Sequence, residues 1–300
     1  LKHVLVIKLG ALGDFVLAFA PFAAIRAHHP DARITLLTTG GFTGLAQGAP
    51  WFDAIITDDR PAWWNLPGLL RLRRVLRGYD MVYDLQTSGR SGWYHRLAGR
   101  PAWSGIAAGC SHPHANPARN GMHTVERQRE QLAMAGIGLF PDADTAWLTA
   151  DASLALPSPY ALLIPGAAPH RPRKRWPAAQ FAALATVLAG RGQTPVVVGA
   201  AQDGPLASVI RAAAPSAIDL TGRTNLRELA AVAARASLAV GNDTGPMHLA
   251  AALGTPCVTL FSADSDPALT GPRGRVTVLA TQNLADLPVQ RVAEALPPVH

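Results

Sequence analysis

The stretch Val240-Gly241-Asn242-Asp243-Thr244-Gly245-Pro246-Met247-His248-Leu249 decides the fold. An apolar run, residues 236–240, leads into it, and a small-residue segment, residues 247–253, leaves it as a helix. A second apolar run follows, Pro256-Cys257-Val258-Thr259-Leu260-Phe261. Strand, polar glycine turn, helix and strand make one βαβ unit. The turn aims backbone N–H groups at whatever sits above the sheet, which is where open α/β sheets hold phosphorylated ligands. Asp243, Thr244 and His248 add side chains around the same point. For His248, a hydrogen-bonded structural histidine stands beside ligand contact as an equal reading.

Outward from this unit, the same pattern runs through the chain. In the first half, Val4-Leu5-Val6-Ile7 reads as a buried strand and Gly10-Ala11-Leu12-Gly13-Asp14 as a turn. A helix over residues 15–27 follows, interrupted or kinked by Pro21. Further strands fall at 34–38, 54–57 and 81–85. Residues 63–77 are apolar and basic, and their leucines and arginines do not separate onto clean opposite faces. They read as a partly buried helix in preference to one touching a membrane. Residues 107–121 read as a loop and 123–134 as a helix.

The second half restarts with a strand at 161–164, the turn Pro165-Gly166-Ala167-Ala168, a helix from Trp176-Pro177 to residue 189, and a strand at 195–199. A helix at 226–234 precedes the Asn242–Asp243 unit, and a last helix at 284–296 closes the chain. The Pro-rich residues 152–159 read as the linker. These units imply an α/β fold of two Rossmann-like domains facing across a cleft. The expected division is 1–156 and 157–283, with the candidate nucleotide or phosphate site in the second. Residues 284–300 form a closing helix, with the N-terminal domain as its candidate seat.

The bulk properties narrow the class. The chain has 300 residues, 49% of them hydrophobic, enough for two ordinary domains. No apolar run reaches the ~18 residues that a membrane span needs. Residues 1–7 are apolar but run into Lys8 and Asp14, which does not suit a signal peptide. The 2 cysteines lie in different halves, so a cytosolic setting without a disulfide is expected. A net charge of +7 suits an anionic partner: a nucleotide, a phosphorylated glycolipid or a membrane surface. The charge gathers at Arg71, Arg73, Arg74 and Arg77, and again at Arg171, Arg173, Lys174 and Arg175. Nucleic acid is disfavoured, since no helix-turn-helix, zinc-finger or RNA-recognition signature is present.

Three turns carry the chemistry. The first, Lys8-Leu9-Gly10-Ala11-Leu12-Gly13-Asp14, lacks the G-x-G-x-x-G spacing and the Gly-Lys-Ser/Thr of a P-loop. What remains is a carboxylate at a helix start, open to a capping role or a catalytic one. The second, Gly166-Ala167-Ala168 followed by His170-Arg171-Pro172-Arg173-Lys174-Arg175-Trp176-Pro177, sets four cations between a strand and a helix, a pattern suited to a pyrophosphate. The third is the Asp243 to His248 turn. There a carboxylate can accept from sugar hydroxyls while Thr244, Gly245 and Pro246 open a helix over phosphate. Cys110, His112 and His114 lack a fourth zinc ligand at a standard spacing. Asp264 and Asp266 read as a solvated loop, so no metal is expected.

Together these motifs resemble the bacterial ADP-heptose:lipopolysaccharide heptosyltransferases, a family of GT-B glycosyltransferases. The resemblance rests on residues 8–14, His29-Pro30-Asp31-Ala32, Tyr83-Asp84-Leu85-Gln86, His123-Thr124-Val125-Glu126-Arg127, Lys174-Arg175-Trp176-Pro177, Leu220-Thr221-Gly222-Arg223-Thr224 and residues 243–254. It implies an inverting transfer of a heptose from ADP-heptose to lipopolysaccharide core, with no cofactor or obligatory metal. Asp14 would be the general base and Lys174 the stabiliser of the diphosphate leaving group. Gly13, Gly166, Ala167, Ala168, Arg175, Asp243, Thr244, Gly245, Pro246 and His248 would surround the donor. It also implies cytoplasmic work at the inner-membrane surface on an anionic glycolipid. Two departures stand out: Ala167 and Ala168 replace hydroxyl residues, and Ser262-Ala263-Asp264 replaces a Gly-Pro-Thr, which brings a carboxylate near the diphosphate region.

Overall fold

His3–Ile7 (β1) leaves only its first residue exposed, as an unbroken apolar run requires of a central strand in a parallel sheet. The structure, a computed structural model, describes residues 1–149, 154–168 and 171–298. It divides into two units, Leu1–Trp147 and Leu148–His300.

After β1, the strands of the first unit are Arg33–Thr38 (β2), Ala54–Thr57 (β3), Met81–Asp84 (β4), Trp103–Gly105 (β5) and His112–Pro113 (β6). They form one sheet in the order β3-β2-β1-β4-β5-β6, every pair parallel. Those of the second unit are Tyr160–Ile164 (β7), Thr194–Val197 (β8), Ile218–Asp219 (β9), Leu238–Asn242 (β10), Cys257–Phe261 (β11) and Val276–Ala280 (β12). Their order is β12-β11-β10-β7-β8-β9, again all parallel. Counted from its own first strand, each sheet runs 3-2-1-4-5-6, the Rossmann order. The order reverses between β1 and β4 in one sheet and between β7 and β10 in the other. Ligands of such sheets bind beyond the carboxyl ends of those two strands.

Several expectations are corrected. The helix expected at 15–27 is two helices, Leu12–Val16 and Phe19–His28. The break falls at Leu17, four residues before Pro21, because the proline ring crowds the carbonyl at that offset and brings no N–H to meet it. The expected loop at 107–121 carries the short strand β6. The partly buried reading of residues 63–77, by contrast, holds: Gly68 and Leu72 of the helix Leu66–Val75 and Leu76 after it are buried, while its outer face is open.

The closing helix is broken by Pro288 into a turn, Leu284–Asp286, and a helix, Val289–Glu294. Val292 and Leu296 join Trp176, Phe181 and Leu188 in the core of the second unit, and Trp176 Nε1 donates to the Leu287 carbonyl at 2.8 Å.

The units divide at Trp147, ahead of the expected boundary at 156, and Trp147 packs edge-on against Phe19 and Trp51. Of the expected linker, residues 152 and 153 lie outside the described residues.

Candidate functional site

In the second unit, β7 and β10 end side by side, with Gly241 in register with Ile164. A Cβ on Gly241 would lie 2.6 Å from Ile164 Cβ and 2.9 Å from the Met247 sulfur, so only glycine lets the strand end this close to the helix that follows. Beyond the strand ends lies a cavity of 390 Å³, within the usual range for small-molecule sites. Gly166, Ala167 and Ala168 from the turn after β7, Gly199 and Asp203 from that after β8, and Thr244 and Pro246 from that after β10 line it. Leu226, Leu229 and Ile164 add an apolar side. The Asp203 carboxylate is wedged between two glycine turns: a Cβ on Gly166 or Gly199 would fall 2.5 or 2.7 Å from Oδ2. Its Oδ2 accepts from the Ala200 N–H at 2.9 Å.

Asn242 ties the second and third turns together. Its Oδ1 accepts from the Trp176 N–H (2.9 Å), and its Nδ2 donates to the Pro165 carbonyl (2.8 Å). Fully buried, it spends both ends of its amide on backbone, which fixes the strand-end glycine turn against the basic loop. Beside it, Lys174 Nζ donates to Asp243 Oδ2 at 2.6 Å, with the two side chains 11% and 8% exposed. Burial alone would lift the Asp243 pKa. The neighbouring His248, with the hydrogen bond and charge of Lys174, outweighs burial and holds it at about 2. His248 Nε2 stands 3.8 Å from the other carboxylate oxygen.

Arg175 Nη2 donates to the Ala167 carbonyl at 2.8 Å, which leaves its buried Nε without a partner among the described residues. Thr244 is the N-cap of the helix Gly245–Ala252 but makes no side-chain cap bond; its hydroxyl meets the Asn242 carbonyl at 3.3 Å.

Asp264 is not among the residues lining this cavity, and its charge is paired. Its two carboxylate oxygens take Arg173 Nη2 at 2.6 Å and Nε at 3.3 Å.

In the first unit, β1 and β4 end side by side in the same way, Ile7 opposite Asp84. A cavity of 230 Å³ lies beyond them, lined by Lys8, Asp14, Gln86 and Thr87 and, from the opposite side, by Arg119, Thr124, Arg127, Gln128 and Gln131. Asp14 is the third residue of Leu12–Val16, whose N-cap is Ala11. It is therefore not the cap, since the helix begins before it. Its half-buried carboxylate makes no hydrogen bond among the described residues.

Lys8 is buried and donates to the Leu85 carbonyl at 3.0 Å. Burial pulls its pKa down against the pull of Asp14 and Asp84, to about 8. Asp84, wholly buried, is pushed up by burial to about 6, despite accepting the N–H groups of Gln86 and Thr87 and facing Lys8. Arg119 Nη2, Gln128 Oε1 and Gln131 Oε1 are buried without partners among the described residues. Three cations and unspent amide oxygens around one carboxylate suit an anionic, hydroxyl-bearing ligand.

The structure brings Gly166, Ala167, Ala168, Thr244 and Pro246 to one cavity, with Lys174, Arg175, Asp243 and His248 at its shoulder. It places Gly13 and Asp14 in the other unit's cavity. It does not gather Cys110, His112 and His114. The thiol reaches Gly105, His112 pairs with Ser111, and His114 pairs with Glu130. Among the described residues, no three metal-ligating side chains are grouped. Sequence reasoning missed Asp203, Gln128, Gln131 and Arg119. The Gly199 ending the strand before Asp203 was the available sign for the first of them.

Two Rossmann-order sheets, each with a cavity at its reversal point, define a protein of GT-B type. Residues 69–300 match glycosyltransferase family 9 (heptosyltransferase), and the chain belongs to that family. It is 29% identical over 302 residues to lipopolysaccharide heptosyltransferase 1 of Pseudomonas aeruginosa, covering 92% of this chain and 82% of that one. A shorter match, 38% identical over 106 residues, is to lipooligosaccharide heptosyltransferase 2 of Haemophilus influenzae; it spans 34% of this chain and only 30% of that protein. Among solved structures, the E. coli ADP-heptose lipopolysaccharide heptosyltransferase II superposes with a TM-score of 0.79 at 26% identity, over 98% of this chain and 97% of that one. The fold expectation is thereby met, and the chain is of the glycosyltransferase class.

Proposed function

We propose that this chain transfers a heptose from ADP-heptose to a hydroxyl of lipopolysaccharide core, with inversion and without a metal. Asp14 acts as general base. The observation that carries the reading is the Asp14 carboxylate, unspent in hydrogen bonds among the described residues and set in a cavity with Lys8, Arg119 and Arg127. The acceptor hydroxyl gives its proton to Asp14 as its oxygen attacks the anomeric carbon. The bond from that carbon to the diphosphate breaks, and its electron pair leaves on the phosphate oxygen. Lys174, the Gly245 N–H and Thr244 meet that charge. Asp243 holds the Lys174 ammonium in place, and Asn242 holds the loop that carries it. The cations around Asp14 hold the acid groups of the acceptor. The apolar wall of Ile164, Leu226 and Leu229 takes the adenine, and the enzyme works at the cytoplasmic surface of the inner membrane, where such an acceptor is anchored.

The test is thermal stabilisation by ADP, UDP, GDP and NAD at matched concentration. A ligand at ~100 times its dissociation constant adds ~2.7 kcal/mol. Selective stabilisation by ADP supports the donor. A preference for UDP or GDP replaces it, and no response to any of them removes the nucleotide reading of the cavity.

A further inference from the structure

The helix Leu66–Val75 and the turn before it present an apolar face that the first unit leaves uncovered. Trp63 is 78% exposed, Trp64 69%, Leu66 68% and Leu70 61%. The two tryptophans pack edge-on against each other, ring centroids 5.4 Å apart, and not against the core. On the helix, Leu66 and Leu70 are one turn apart and share a face, while Gly68, Leu72 and Leu76 point inward. Arg73, Arg74 and Arg77 fall on the same outward side at helical spacing, and Arg71 lies toward its edge.

From Arg60 to Tyr79 the chain holds five arginines and no aspartate or glutamate. The side chains of Arg71, Arg73, Arg74 and Arg77 make no ion pair or hydrogen bond among the described residues. Asp80, the next carboxylate, is turned to the N–H groups of Lys2 and His3.

The face is also built to hold its shape. Asn65 Oδ1 caps the helix at the Gly68 N–H (3.0 Å), with Pro67 in the first turn. A side chain at Gly68 would run into Asn65 and Pro61 at 2.8 Å, so the glycine lets the tryptophan turn fold down onto the helix start. Little order is lost when such a face meets a partner.

From these observations we infer that residues 63–77 form a docking face for an anionic lipid bilayer, with Trp63, Trp64, Leu66 and Leu70 entering the headgroup boundary and Arg71, Arg73, Arg74 and Arg77 lying on lipid phosphates. Tryptophan pairs with its apolar body inward and its N–H toward water suit that boundary, and a short helix with leucines outward lies flat in it. The unpaired arginines complement a negative surface. A second copy of the chain fits poorly, because it would bring the same arginines together. Single-stranded nucleic acid would use the tryptophans and arginines but not the outward leucines. The inference extends the proposed membrane-anchored acceptor to the contact that brings the enzyme to it, and its test uses no acceptor.

The full 300-residue chain is floated with phosphatidylglycerol vesicles and with phosphatidylcholine vesicles. The wild type is expected to partition to the former and to lose that binding as salt is raised. Arg73→Gln with Arg74→Gln lowers the partition coefficient about thirtyfold, and Trp63→Ser with Trp64→Ser lowers it about tenfold. Because these side chains are exposed, both variants keep the wild-type melting temperature and its response to ADP, whatever that response is. A wild type that ignores phosphatidylglycerol, or variants that bind it as well as the wild type, overturns the inference. So does a tryptophan-dependent dimer in sedimentation, or binding to a single-stranded RNA oligonucleotide without binding to vesicles. A failed ADP response with intact vesicle binding would count against the proposed donor and leave the docking face standing.

Discussion

Replacing Lys174 by methionine should destabilise the second unit through Asp243 rather than through lost packing. The pair is closed at 2.6 Å, and neither side chain is more than 11% exposed. Methionine keeps most of the apolar stem and removes only the charge, so Asp243 is left buried without its cation, the His248 ring standing 3.8 Å away. The carboxylate pKa of about 2, against 3.8 in the unfolded chain, is worth about 2.5 kcal/mol at neutral pH. The folded value is the lower one. That stability is therefore complete above pH 4 and is lost as the pH falls through 2.

Breaking a buried pair from one side costs about 3–5 kcal/mol, whereas removing both charges costs less. Urea denaturation of Lys174→Met, Asp243→Asn and the double variant measures the difference. The double variant should be more stable than the sum of the singles by about 2 kcal/mol, and the acid sensitivity between pH 4 and 2 should shrink in all three. Additivity within about 0.5 kcal/mol would refute the coupling.

Two further outcomes follow from the strand ends. Gly241→Ala must push Ile164 or Met247 aside, since its Cβ would sit 2.6 and 2.9 Å from them; a loss of about 1–3 kcal/mol is expected by denaturation, together with weaker nucleotide stabilisation. Lys8 is held at about 8 in the fold against 10.5 unfolded, so its charge costs stability below pH 8, and that cost is relieved as the pH rises toward 10.5. Wild type should thus gain about 3 kcal/mol relative to Lys8→Met over that interval, and parallel pH profiles would contradict it.

The sheets were legible because their central strands are buried on both faces. Val4 to Ile7, Leu162 to Ile164 and Val258 to Phe261 are continuous apolar runs bounded by glycine or polar turns. The strands that escaped are the three-residue β5, too short to show a pattern, and the edge elements β6, β9 and β12. β6 is two residues long inside a Gly/Pro/His segment, and β12 is half exposed, so neither buries enough to shape its own sequence. Asp14 and the residues from Asp243 to His248 were readable from their turns. The partnership of Lys174 with Asp243 and of Arg173 with Asp264 was not. Each joins residues far apart in the chain, and only the β7–β10–β11 adjacency brings them together. Residues 63–77 were legible as a partly buried helix, but not face by face. The sequence mixes leucine with arginine, and burial of one face had to be assumed until the structure placed Leu72 and Leu76 inside and Leu66 and Leu70 outside.

The most direct test of the central claim is the rate of sugar transfer from ADP-heptose to a lipopolysaccharide-core acceptor by wild type and by Asp14→Ala, measured beside the melting shift with ADP. The account predicts that transfer falls about 10²–10⁴-fold while the ADP shift is unchanged, because the carboxylate takes a proton and lies in the unit that does not hold the nucleotide. Equal transfer by the two proteins would remove Asp14 as the base.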